Sequence, residues 1–200
     1  TEEVGGTTPL GQLTIASATD LTFDKSVDAA GLRQILGTGT TTLKGEVTTT
    51  SGAGVNLAAN LVSVQAAVDA GNNPVVLSAD NLNITAAVSS GTANTTLTGY
   101  SAATVVDLGG KDTAGIVGIS QAEQALITAG TLVVGTSANT GGVTVSQSVT
   151  TGNFSNLSLR TGGVIAVNAA ITTTATSGLV TANATGNLNI AAAGVITSGG

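Results

Sequence analysis

The chain contains no cysteine, no histidine, no methionine and no tryptophan. Without cysteine there are no disulfides and no thiolate metal sites. Without histidine or cysteine, the usual nucleophile–base triads and zinc sites are excluded. Only 8% of the 200 residues are charged and 2% are aromatic. Surface helices need Glu, Lys, Arg and Leu, so a mostly helical protein is excluded too. Proline occurs twice, at Pro9 and Pro74, so no proline-rich linker divides the chain. No apolar run reaches the eighteen or so residues of a membrane helix. The formal charge of −6 lacks the basic footprint that nucleic acid requires. After Glu123 the single charged side chain is Arg160, so this half offers no steering surface for an ionic substrate.

What remains is Thr, Ser, Asn, Gly, Ala and Val. Thr and Val suit strands, and Gly and Asn suit turns. These residues are ordered in a recurring seven-residue pattern. Ile165-Ala166-Val167-Asn168-Ala169-Ala170-Ile171 alternates inward apolar and outward side chains, as an extended chain does. Its two small residues allow a corner, and Ile171 restores the inward face. The pattern recurs at Leu21–Val27, Val62–Val68, Leu82–Val88 and Val143–Val149, with a looser copy from Leu188. The starts at 21, 62, 82, 143, 165 and 188 differ by 41, 20, 61, 22 and 23 residues. Taken as two, one, three, one and one repeats, these give a unit of about twenty to twenty-three residues, the signature of a stacked repeat. A second strand precedes most copies, at Leu13–Ile15, Val55–Leu57, Val75–Leu77, Leu132–Val134 and Leu157–Leu159. Glycine turns follow at Gly71, Gly91 and Gly152.

The expected fold is therefore all-β, a parallel β-helix or β-solenoid with one coil per unit. An antiparallel sandwich is the plainer alternative, since it also has many short strands. Val64, Ile84, Val145, Val167 and Ile190 should form one inward row. Residues 29–36 read as a helical turn or a bulged strand. Ser120-Gln121-Ala122-Glu123 resembles a capping box, which predicts a short helix over 121–129 ending at Gly130. Residues 1–12 read as a lead-in and 13–200 as one solenoid domain. The chain begins at Thr1 rather than Met and shows no signal peptide, so the expectation is a mature or excised piece of a longer solenoid.

No catalytic or cofactor site is expected. Asp20, Asp24 and Asp28 recur every four residues but read as a solvated acidic edge. The nearest approach to a metal site is the turn Asp107-Leu108-Gly109-Gly110-Lys111-Asp112. Asp107 and Asp112 flank Gly-Gly as in calcium turns, but the G-G-x-G-x-D repeat of calcium-binding β-rolls is missing. Asn-x-Ser/Thr triplets at Asn83, Asn94, Asn153, Asn156 and Asn183 are what chance supplies in such a composition. Thr runs at 40–42, 48–50 and 172–174 raise ice binding as a minor reading, though they do not recur at the coil period.

The coil pattern, the composition and the piece Asn187-Leu188-Asn189-Ile190-Ala191-Ala192-Ala193-Gly194 resemble the repeat regions of filamentous-haemagglutinin-like exoproteins. Ala125-Leu126-Ile127-Thr128-Ala129-Gly130-Thr131-Leu132 is similar to a segment of large members of that group. The resemblance implies a right-handed parallel β-helix exported across the outer membrane to the bacterial cell surface. It further implies adhesion, biofilm or surface-filament formation, with host or matrix glycans and other coils as partners. The family's secretion signature, Asn-Pro-Asn followed by Leu or Gly, is replaced by Asn72-Asn73-Pro74-Val75, so the chain reads as shaft and no binding residues carry over. A non-enzymatic structural segment is the expectation. A β-helical carbohydrate-active enzyme or a phage-tail-like fibre is the alternative.

Overall fold

The computed structural model describes residues 3–175 and 178–198. It is a parallel β-solenoid whose coils present three faces, with almost no helix. All named strand pairs are parallel.

On the first face the strands start with Leu10–Ile15 and end with Val180–Ala184. Their inward row reads Leu13, Leu32, Val55, Val75, Thr95, Leu132, Leu157, Val180. Every second strand picked out by alternation in the sequence falls on this row. The second face carries the start of the seven-residue pattern. Leu21, Thr41, Val62 and Leu82 stack in register there, as do Val106, Val143, Ile165 and Leu188. The third face begins at the seventh position. Val27, Val47, Val68, Val88 and Ile127 form one column, and Val149, Ile171 and Ile196 form another. Val4 extends the first column by a bridge to Val27.

The corner after this third face is narrow, and the sequence records it. Two residues beyond Val27, Val47, Val68, Val88, Ile127, Val149 and Ile171 stand Ala29, Thr49, Ala70, Ser90, Ala129, Thr151 and Thr173, all small and all buried. The chain then turns at Gly71 and Gly91, whose φ angles of 61° and 56° favour glycine. The Ala66-Ala67 and Ala169-Ala170 pairs make the preceding corner, between short strands, as the pattern predicted.

Inside lies one continuous core of Val, Leu, Ile and Ala. Each fully buried Val, Leu or Ile contributes about 1.5–3 kcal/mol of transfer free energy. One coil holds too few to offset its ordering entropy, so stability comes from stacking. Val64 and Ile84 lie in one inward ladder, and Val145, Val167 and Ile190 lie in a second, separate one. Ile190 is on the last described rung and is 51% exposed.

Polar side chains also occupy inward positions, Gln34 and Thr95 among them. Gln34 takes the place of an aliphatic residue and accepts a hydrogen bond from the Thr41 hydroxyl at 2.7 Å. Thr95 donates to Ser90 Oγ at 2.9 Å. The segment 29–36 resolves as strand: Val27–Gln34 is extended, with its irregularity between Ala29 and Gly31. Among the described residues helix is limited to the single turn Gln121–Gln124, shorter than the expected 121–129. Ile127 and Thr128 are instead drawn into the third face by pairing with Val88 and Ser89.

Candidate functional site

The regular coil fails once, and that place concentrates the specific side-chain chemistry. Coils in the first half repeat every 20 or 21 residues, from Val27 to Val47, Val68 and Val88. The next member of that column is Ile127, 39 residues after Val88. In this long turn the chain crosses the second face twice. It first lays down Val105–Leu108 and reverses through 109–115, where Gly109 and Gly115 have φ of 100° and 77°. It then lays down Ile116–Ile119, parallel to Val105–Leu108 and one level lower. The 61-residue step from Leu82 to Val143 makes two turns rather than the three repeats expected, and it reaches Val143 over three strands on the second face. Their order in space is Val117, Val106, Val143, so the two intervening strands are stacked in reverse of their sequence order.

The lower of the two strands sits against the rung of Leu82–Ile84 without joining its ladder. Two carboxylates bridge the joint. Asp112 accepts from the backbone N–H of Gly118 at 2.7 Å and of Leu82 at 3.1 Å. Glu123 accepts from the N–H of Ile84 at 3.1 Å, and its other oxygen accepts from the N–H and hydroxyl of Ser120 at 2.9 and 2.8 Å. The capping box read from the sequence is thus real, and its glutamate also reaches back to the preceding coil. Burial pushes the Asp112 carboxyl above its ordinary value; the two amides oppose this and the charge of Glu123 adds to it. Asp107 is also raised by burial, offset in part by Ser146. Asp107 and Asp112 therefore serve different neighbours, and the described residues contain no cluster of three potential metal ligands. Asp20 accepts from the Thr40 N–H and Asp24 pairs with Lys44 at 3.0 Å, so the acidic triplet is dispersed along the surface.

A further carboxylate secures the entry to the crossing. Asp80 accepts from the Ser101 N–H and hydroxyl and from the Thr104 hydroxyl. Burial alone would raise its pKa, but the hydrogen bonds from Ser101, Thr104 and the Tyr100 backbone outweigh it and hold the carboxyl below its ordinary value.

On the third face the ladder is interrupted at the same level. Ile127–Thr128 pairs downward with Val88–Ser89, and Val149–Thr151 pairs upward with Ile171–Thr173. No ladder joins the two. Amide side chains span the interval: Gln121 donates to the Ser148 carbonyl at 3.0 Å, and Asn153 donates to the Ala125 carbonyl at 2.6 Å. Between them lies an open cleft of about 380 Å³ bounded by Gln124, Thr150, Gly152 and Phe154 among others. In the sequence Gln121 stood out only as part of the capping box and Asn153 only as an Asn-x-Ser/Thr triplet, and Gln124 carried no signal; none of the three was read as bridging coils.

These features define a class: a repeat protein of the parallel β-solenoid type, with one irregular turn in an otherwise periodic stack. Comparison with protein-family models, with curated proteins and with solved structures returned no match.

Proposed function

We propose that the chain is a structural and adhesive shaft segment of a large, secreted or surface-anchored bacterial filamentous protein of the filamentous-haemagglutinin-like kind. The observation that carries this reading is the stack itself: coil after coil keeps its inward rows in register around one continuous apolar core, an architecture that serves as a rod. The outward rows support the same reading. They carry short, uncharged side chains such as Thr172 against Thr197 and Ser158 against Thr181, a surface suited to many weak contacts with matrix glycans.

Function in a shaft resides in length. Residues 55–74 make one coil, because Val55 pairs with Val75 and Val68 with Val88. Deleting them should leave a folded rod shorter by one strand spacing, about 4.8 Å, in small-angle scattering. Beads coated with the protein should still adhere to glycan-bearing matrix, and Asn168→Ser on the outer face should not change this. Unfolding of the deletion together with loss of all adhesion in Asn168→Ser would overturn the proposal.

A further inference from the structure

Where the ladder of the third face is interrupted, the surface is concave, and the open cleft of about 380 Å³ has a chemistry of its own. Main-chain groups around it are already paired. The Ala129 N–H donates to the Asn153 carbonyl at 3.2 Å, and the Gly152 N–H donates to the Thr150 carbonyl at 2.9 Å. The Ser148 and Ala125 carbonyls are held by Gln121 and Asn153. What the cleft offers a ligand is therefore side chains.

Three of these are amides, each anchored at one end. Gln121, Asn153 and Gln124 donate an amide N–H to the carbonyls of Ser148, Ala125 and Ile119, at 3.0, 2.6 and 2.9 Å. The anchor fixes which end of each amide is oxygen, because a carbonyl accepts only from the nitrogen end. Gln124 is buried, but Gln121 and Asn153 are exposed. Each of these two keeps its carbonyl oxygen and its second N–H for a partner outside the chain. The exposed hydroxyls of Ser148 and Thr150 line the same opening. Among the described residues no ionised side chain lines it. Glu123, on the same helical turn as Gln121, is held by Ile84 and Ser120 instead. Phe154 and Ala125 supply an apolar part of the lining. Above Gly152 the space is open, since a Cβ added there meets no atom within 4 Å.

We infer that this cleft is a subsite for one neutral pyranose ring of a glycan. Each sugar hydroxyl both donates and accepts, so a fixed amide with one free N–H and one free oxygen answers two neighbouring hydroxyls. The apolar C–H face of the ring suits the Phe154 and Ala125 side. The volume lies at the small end of the range for small-ligand sites, about 300–1,000 Å³. An acidic sugar is disfavoured, because its carboxylate would lose water and meet no cation. An extended peptide is disfavoured as well, because the main-chain groups it would pair with are taken. This deepens the adhesive reading and rests on it for the source of the sugar, a matrix glycan. It adds a defined point of attachment to a surface of weak, uniform contacts.

The test titrates the methyl pyranosides of glucose, galactose, mannose and N-acetylglucosamine into the isotope-labelled chain. Methyl glucuronide is the acidic counterpart of the glucoside. Backbone and side-chain amide shifts are followed. The expected result is saturable one-to-one binding by at least one neutral pyranoside, with Kd on the order of 1 mM. The side-chain NH2 signals of Gln121 and Asn153 should move together. The glucuronide should bind about tenfold more weakly than the glucoside, or not at all. Gly152→Phe fills the open space, so it should abolish binding and keep the melting temperature. Gln121→Ala should weaken binding about tenfold, the value of one lost hydrogen bond, and it carries the test if Gly152→Phe fails to fold. No saturable binding by any neutral pyranoside, while beads coated with the protein still adhere to matrix, overturns the subsite alone. Equal binding by the glucuronide overturns it too, as does undiminished binding by folded Gly152→Phe. Shifts spread along the outward Thr and Ser rows, with Gln121 and Asn153 unmoved, also overturn it. Beads that fail to adhere while a pyranoside saturates at the cleft overturn the adhesive reading and support the subsite.

Discussion

Replacing Asp112 with alanine tests the claim that side-chain carboxylates hold the irregular turn to the coil below. The substitution removes both acceptors at once, leaving the Gly118 and Leu82 N–H groups without their 2.7 and 3.1 Å partners. A hydrogen bond to a charged group is worth about 1.5–3 kcal/mol, so the gross loss is about 3–6 kcal/mol. Two effects reduce it. The site is partly open, so water reaches the freed amides. The ionised carboxyl also carries a desolvation cost and repulsion from Glu123, both relieved on its removal. A net loss of about 2 kcal/mol is the reasoned value, which is about thirtyfold in an equilibrium constant. Asp112→Asn keeps one acceptor and should lose about half of that. Native-state hydrogen exchange reads the effect where it acts: Leu82 should lose about thirtyfold protection in Asp112→Ala. The Val55 amide, bonded to the Pro74 carbonyl at 3.0 Å two coils away, should be unchanged. Unaltered protection of Leu82 would refute the account and mean that the joint is held by side-chain packing alone.

Val145 is fully buried between Leu108 and Val167, so Val145→Asp places an unpaired carboxyl in the core and should cost about 4 kcal/mol or more in urea unfolding; an unchanged midpoint would remove Val145 from the inward row. The three shifted carboxyls make opposite contributions with pH. Asp107 and Asp112 are raised on folding, so their ionised forms cost stability at neutral pH. That cost is relieved as pH falls through their raised values toward the ordinary 3.8. Asp80 is lowered, so its contribution is present above 3.8 and is lost as pH falls through its folded value. Melting temperature should therefore respond in opposite senses to Asp107→Asn and Asp80→Asn at pH 7, rising in the first and falling in the second; the same sign for both would contradict the assignment.

The periodic part of the fold was legible because each rung places equivalent residues in equivalent surroundings. Burial then writes the same alternation into every coil, and the Ala-Ala corner marks its phase. One coil was only weakly patterned in the sequence, where Leu43-Lys44-Gly45-Glu46-Val47 marks it: Thr41-Thr42-Leu43-Lys44-Gly45-Glu46-Val47 occupies the pattern in register with Leu21–Val27. Its first inward position is Thr41, and only the contact with Gln34, seven residues earlier, makes that hydroxyl acceptable in the core. The irregular turn was opaque for a different reason. Val105–Leu108 and Ile116–Ile119 both read as buried strands, and alternation says nothing about which lies lower. The order is set by Asp112 and Glu123 reaching the amides of Leu82 and Ile84, contacts between residues 30 and 39 positions apart. The helix was legible in its cap and not in its length, because pairing of Ile127 with Val88 overrides local propensity.

The extra strand on one face, with no counterpart on the other two, resembles an edge dislocation in a crystal, a half-plane of material that ends inside the lattice. Such a defect decides where a stack yields. Between ordinary coils, tension along the axis is shared by three backbone ladders. At this level the second face transmits it through two carboxylates and the third through two side-chain amides, while the first face alone keeps a continuous ladder. A rod built this way bends and parts first at residues 82–153, and the coils on either side stay intact as separate stiff segments.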